Sequence, residues 1–311
     1  KSIYEENSRH LLSTYEQVDK TFTMFVQHNW NALSDWSNNL QYLDDAENMK
    51  TLWYEFARRK DAWQYQDFYM FNENCDFITA AGRDGNAPNI QGIFLDMYET
   101  GQPVISSYIA SDSNRRIVFA LPMEVPYTIN GITYSGLAVS YNNDVVEKLI
   151  AGNIYQGQSD CYILTSDGNV LLSLEPKTEF LQHISNLFDF LNNYTDMTET
   201  EITDLKKNIK NVSTGSLQCR YNNKNYYLVY EPTGINDWTI VGIIHNDVVD
   251  ASMRRIQFIT IVLILILNGC IALLLIGTVF VLMDSRLRMK EHEQMILLKR
   301  KELTEQMFSG L

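Results

Sequence analysis

Between Ile256 and Met283 the chain reads IQFITIVLILILNGCIALLLIGTVFVLM, twenty-eight residues without a single charge. As a helix this run would extend ~42 Å at ~1.5 Å per residue, more than the ~30 Å hydrocarbon core of a bilayer. Its polar exceptions are Gln257, Thr260, Asn268 and Thr278. A buried core helix is usually shorter and amphipathic, and a signal peptide sits at the N-terminus, so the run is read as a transmembrane helix, 256–283.

The run divides the chain unequally. Residues 1–255 carry 19 Lys and Arg against 33 Asp and Glu, a net of −14, whereas residues 284–311 carry 6 against 5, a net of +1. Arg286, Arg288, Lys290, Lys299, Arg300 and Lys301 follow the span, against Arg254 and Arg255 before it. The bias of positive residues toward the inner side places 284–311 in the cytoplasm and 1–255 outside. An acidic outer part is expected to have no nucleic-acid partner, because phosphate binding needs clustered Lys and Arg. The chain opens at Lys1 without an initiator Met and stops at Leu311 within a helical pattern, so it is expected to be a segment of a longer protein. Cys75, Cys161, Cys219 and Cys270 have no metal spacing, and with Cys270 in the span they suggest no disulfide framework.

Residues 1–43 form one helical pattern, with Leu11, Tyr15, Val18, Phe22, Phe25, Trp30, Leu33, Trp36 and Leu40 mostly three or four apart and no Pro or Gly to break it. Such a stripe packs along its own domain or forms the spine of a dimer. A second helix is expected over roughly 46–62. Short strand candidates follow at 67–71 and 75–81, then a loop, RDGNAPN (83–89), and a helix over 90–101. Three more strands read at 103–109, 115–123 and 132–141, the last after the hairpin signal Asn130-Gly131, and a helix closes the unit at 143–152. The same order then recurs. Strands at 161–165 and 169–174 flank Asp167-Gly168, helical patterns run over 178–193 and 200–211, and three strands follow at 215–221, 225–231 and 238–244. The economical solution is an α+β fold: a long N-terminal helix, then two PAS-like modules (44–152 and 153–250), each a five-stranded antiparallel sheet with helices.

The second module carries CYILTSDGNVLLS and GSLQCRYNNKNYYLVYEPTGINDWTIVGIIHNDVVDASM. A hairpin with an internal DG, a strand ending YEP, and a DW-initiated strand running through NDVV into the membrane resemble the double-Cache (dCache) sensor family over roughly residues 20–250. That resemblance implies an extracytoplasmic domain that binds a small molecule, mainly in the membrane-distal module. It also implies a preceding transmembrane helix and a cytoplasmic output such as a histidine kinase, a diguanylate cyclase or a chemoreceptor domain. The Arg-x-Trp-Tyr run of many amino-acid-binding members is absent; the corresponding region reads IQGIFLDMYETGQPVISSYI.

No GxSxG, HExxH, GxxxxGK[ST] or CxxC occurs, so neither a catalytic site nor a metal or cofactor is expected in these residues. Adjacent acids such as Asp44 and Asp45 read as solvated surface, and His292 as a linker histidine. Leu282, Met289, Ile296 and Leu303 recur every seven residues, one seam of a coiled coil, which with Asn268 in the span suits a homodimer. For a ligand of unknown identity the distal sheet offers Ser106, Tyr108, Arg116, Phe119 and Tyr134, with Arg83 on an adjoining loop. Arg suits a carboxylate or phosphate, and aromatic rings supply contact area, although each side chain could equally serve packing or surface. Asp112 and Asp144 are weaker candidates, and Tyr227, Tyr230 and Trp238 read as core. The competing classes are a membrane-anchored adhesive or scaffold ectodomain and, behind it, a surface enzyme.

Overall fold

The computed structural model of the chain describes residues 3–40, 54, 57, 58, 60, 64–87, 91–110, 114–150, 154–174 and 184–308. Two compact units result, Lys1–Asp250 and Ala251–Leu311.

The first unit is organised along α1 (Ile3–Leu40). Leu11, Tyr15, Val18, Phe22, Val26, Leu33 and Leu40 are all buried, and they share one core with residues of both sheets. The stripe therefore packs along its own domain, burying about 1.5–3 kcal/mol of transfer free energy per large side chain. A polar group sits within this core without penalty: Asn29 donates from Nδ2 to the Phe25 carbonyl (2.9 Å) and accepts from the Tyr141 hydroxyl (2.7 Å). The reading to residue 43 ends outside the described residues. Of the helix expected over 46–62, the described Tyr54, Ala57, Arg58 and Lys60 are helical and the rest lies outside them.

The distal sheet contains β1 (Asp67–Phe71), β2 (Asp76–Thr79), β3 (Asp84–Asn86), β4 (Val104–Ile109), β5 (Arg115–Ile129) and β6 (Ile132–Asn142), in the order β3-β2-β1-β6-β5-β4. All pairs are antiparallel. The expected five strands are six, because Asp84–Asn86, read as loop, pairs with β2. Asp, Gly and Asn have little strand propensity. The pairing is reinforced by the side chain of Asn86, which donates to Asp76 Oδ1 (2.8 Å) and the Asn74 carbonyl (2.7 Å). Strand β5 also outruns the expected Met123, shifting register between Pro122 and Tyr127. Proline cannot donate to the ladder, so two prolines in this stretch are accommodated by an irregularity rather than by ending the strand. Helices α2 (Gln91–Thr100) and α3 (Asn143–Ile150) complete the module.

After a 3-10 turn (Ile154–Gly157), the proximal sheet orders β8-β7-β11-β10-β9. Its strands are β7 (Ser159–Leu164), β8 (Val170–Leu174), β9 (Gly215–Tyr221), β10 (Lys224–Pro232) and β11 (Thr239–His245). Between β8 and β9 come α4 (Leu187–Tyr194) and α5 (Glu199–Lys210). The helix expected from Thr178 starts at Leu187, because Asn186 caps it by accepting from the amides of Phe188 and Asp189; residues 184–186 are not helical, and 178–183 lie outside the described residues. On β11, Gly242 lets α1 approach: a Cβ there would collide with the Tyr15 ring.

The second unit belongs to α6 (Asn246–Phe308), which begins where β11 ends and runs 63 residues. Nearly all of its large apolar side chains within 256–283 are exposed, and the helix is long and apolar enough to cross a membrane. In a bilayer, lipid replaces the missing protein neighbours.

Candidate functional site

Strand alternation sorts the distal sheet into two chemistries. On β1, Phe68 and Met70 join the core shared with α1, while Asp67, Tyr69 and Phe71 face the other way. On β5, Ile117 and Phe119 face α1, and Arg116, Val118 and Ala120 lie opposite. On that far face lies a cavity of about 360 Å³, lined by Asp67, Tyr69, Phe71, Cys75, Phe77 and Thr79, by Arg83, Asp84, Ala87 and Phe94, and by Tyr108, Ala110 and Arg116.

One end of the cavity is ionic. Asp67 accepts at Oδ1 from Arg83 Nη2 (3.1 Å) and at Oδ2 from Arg116 Nη1 (3.3 Å). The two arginines differ sharply: the Arg83 side chain is 70% exposed, Arg116 only 13% and Asp67 17%. A tight turn presents Arg83, with Thr79 N–H donating to the Arg83 carbonyl (2.7 Å) and Gly82 in the left-handed region (φ +74°). Half of the remaining lining is aromatic: Tyr69, Phe71, Phe77, Phe94 and Tyr108. Phe71 stacks on Phe94 at 3.8 Å and meets Tyr98 edge-on at 5.8 Å. Its position depends on Gly136 of β6, where a Cβ would run into the Phe71 ring. The Tyr69 hydroxyl is buried beside those of Tyr108 and Ser140. Burial, and then the nearby Tyr108, push its phenol well above the ordinary range, so it stays a neutral donor. Burial likewise raises the Cys75 thiol. Cys75, Cys161 and Cys219 are free and buried.

Of the six candidates from sequence, Arg83, Tyr108 and Arg116 meet in this cavity. Phe119 lies on the α1 side, edge-on to Phe25 at 5.4 Å and to Tyr141 at 5.9 Å. Ser106 lines a separate cleft with Ile93, Asp96, Leu171, Asn236 and Trp238. Tyr134 is buried in the core and does not line the cavity. Asp112 lies outside the described residues. Sequence reasoning missed Asp67, Tyr69, Phe71 and Phe94. A signal existed for the first three, since DFYMF opens on an acid and alternation puts that acid on the face of both tyrosine and second phenylalanine.

No family model matches the chain, and no curated protein matches it. Several solved structures do. The ligand-binding domain of the Pseudomonas aeruginosa PAO1 amino-acid chemoreceptor PctB in complex with L-Arg aligns at a TM-score of 0.58 and 13% identity, covering 81% of this chain and 92% of that one. The extracellular domain of the putative histidine kinase mmHK1S-Z3 aligns at 0.53 and 13%, covering 78% and 98%. The sensory domain of the Campylobacter jejuni chemoreceptor Tlp3 with isoleucine bound aligns at 0.52 and 10%, covering 79% and 96%. At such identities the likeness speaks for the fold: the chain has the architecture of these sensory domains, in line with its double-Cache resemblance.

Proposed function

We propose that this chain is the outer sensing region and membrane helix of a transmembrane receptor, with the distal cavity as its ligand site. The observation that carries this reading is the cavity itself: an Arg83–Asp67–Arg116 group at one end and five aromatic rings in the rest of its lining. A ligand carboxylate or other anionic group would take the place of Asp67 at the guanidinium of Arg116, and the rings would cover its body. Structures of the same fold hold L-Arg and isoleucine, which supports a ligand of amino-acid size. Residues 256–283 would cross the membrane, and 284–311 would continue in the cytoplasm toward a histidine kinase or diguanylate cyclase output, in a homodimer.

The test is a thermal-shift screen of the full chain in nanodiscs against a metabolite library. A ligand at about 100 times its dissociation constant adds about 2.7 kcal/mol of stability. The reading expects a hit that Arg116→Ala and Tyr108→Ala abolish. A hit untouched by both substitutions, or a folded chain that answers nothing in a broad library, overturns it.

A further inference from the structure

The distal and proximal sheets are joined by hydrogen bonds at a seam that begins beside the cavity. Arg115, the neighbour of the cavity residue Arg116 on β5, donates from Nη1 to the carbonyls of Val170 (2.8 Å) and Leu171 (3.3 Å) on β8. Asn143, where α3 begins, donates from Nδ2 to the Ser173 carbonyl (2.6 Å) on the same strand. In the opposite direction, Asn236 Nδ2 donates to the carbonyl of Ile105 (3.1 Å), three residues before the cavity residue Tyr108 on β4.

The proximal ends of these bonds are well placed. Among the described residues strand β8 is an edge of its sheet, and the Arg115 guanidinium satisfies its Val170 and Leu171 carbonyls with charge-assisted bonds. From β8 the ladder passes through β7 to β11, the strand that runs into α6. Asn236 sits three residues before the start of β11. Its turn is stiff: Thr233 Oγ1 accepts from the Ile235 amide (3.1 Å) and donates to the Trp238 carbonyl (3.1 Å). Asp237 Oδ2 accepts from both the amide (3.1 Å) and hydroxyl (2.7 Å) of Ser166. A shift of β4 or β5 therefore reaches β11 both at its start, through Asn236, and across the ladder, through Arg115.

We infer that this seam, Arg115–β8 together with Asn236–Ile105, is the coupling element that carries occupancy of the distal cavity to β11 and hence to α6. Adjacent residues of one strand point to opposite sides, so the displacement of Arg116 by a ligand moves the backbone that also holds Arg115. Arg115 and Asn236 are positioning residues: they touch no ligand and transmit a change made by others. The inference goes beyond the sensing reading, and its test does not depend on finding the natural ligand.

Ala110→Cys in a Cys75→Ser, Cys270→Ser background makes residue 110 the cavity thiol in place of Cys75, and monobromobimane attached there fills the cavity covalently; mass and bimane emission verify the occupancy. Hydrogen exchange is then followed on the full chain in nanodiscs. Occupancy is expected to change exchange at 67–71, and to slow it about threefold at 170–174 and 239–245. Adding Arg115→Ala or Asn236→Ala should leave the response at 67–71 and lose that at 239–245, while Arg115→Lys, which keeps a charged donor, should retain part of it. An undiminished response at 239–245 in both alanine variants overturns the inference, as does an occupied cavity that leaves 239–245 unchanged in the parent chain. Failure of the sensing reading, with no metabolite bound, leaves these outcomes untouched because the probe is covalent.

Discussion

The two sheets turn one face each toward α1 and differ on the other. The far face of the proximal sheet lies under two helices, α4 and α5, and Leu187, Phe188, Leu191, Ile202, Leu205 and Ile209 fill it together with Tyr162, Leu228 and Val241. The far face of the distal sheet carries α2, which supplies Phe94 and Met97 to a cluster about half that size. The cavity with its ion pairs occupies part of what remains. Two modules of similar strand order thus differ in use of that face: one is spent on a packed core, the other keeps a cavity. Close packing and an open pocket are alternatives for the same surface, and among the described residues two helices cover the packed face and one the face with the cavity.

The largest expected effect lies on the packed face. Leu191→Ala should cost about 2–5 kcal/mol, the range for a leucine removed from a core that cannot collapse, read by urea unfolding of the full chain in nanodiscs. It should leave ligand response intact; a cost near zero would mean that the proximal face is as yielding as the distal one. Next comes Gly136→Ala on the concave face. The added methyl forces Phe71 aside, so about 1–3 kcal/mol should be lost, and a bound ligand should weaken with it. Unchanged binding would detach the Phe71–Phe94 stack from the site.

Thr198→Ala removes the capping box of α5, in which the Thr198 hydroxyl accepts from the Glu201 amide and Glu201 reaches back to the Thr198 amide. About 1 kcal/mol should be lost, with faster exchange confined to 199–210. Smallest is Glu231→Gln, a control on the face that both sheets share with α1. One oxygen each of Glu231 and Asp19 is buried without a hydrogen bond among the described residues. Burial pushes the Glu231 carboxyl up, with Asp19 and Glu16 adding repulsion. The folded chain therefore holds this proton more tightly than the unfolded one. The stability it contributes is full below the unfolded value of about 4.3 and is lost as pH rises through the higher folded value. The amide should raise the unfolding midpoint slightly at pH 8 and not at pH 4; a gain at both would assign the effect to packing rather than charge.

Much of the fold was legible in the sequence. The charge-free run, the unbroken stripe from Leu11 to Leu40 and the repeated strand order each follow from periodicity, which reports on neighbours three or four residues away in a helix and two away in a strand. Two of the misses have a common cause. Asp84–Asn86 became a strand through Asn86 reaching back to Asp76, and α4 starts late because Asn186, which caps it, is held by the Asp167 carbonyl and the Asn169 side chain. Both are settled by partners at least ten residues away.

The site divides in the same way. Sequence alone determined that a long apolar helix follows an acidic α+β region, because composition and local period are properties of the chain itself. It also singled out Arg83, Tyr108 and Arg116 by side-chain chemistry. Only the tertiary structure decided that Phe119 faces α1 and Ser106 a different cleft, and that Asp67 joins the two arginines. It alone put Arg115 and Asn236 on the seam between the sheets. Which face of a strand looks onto a cavity is fixed by what covers that face, and the covering elements arrive from elsewhere in the chain.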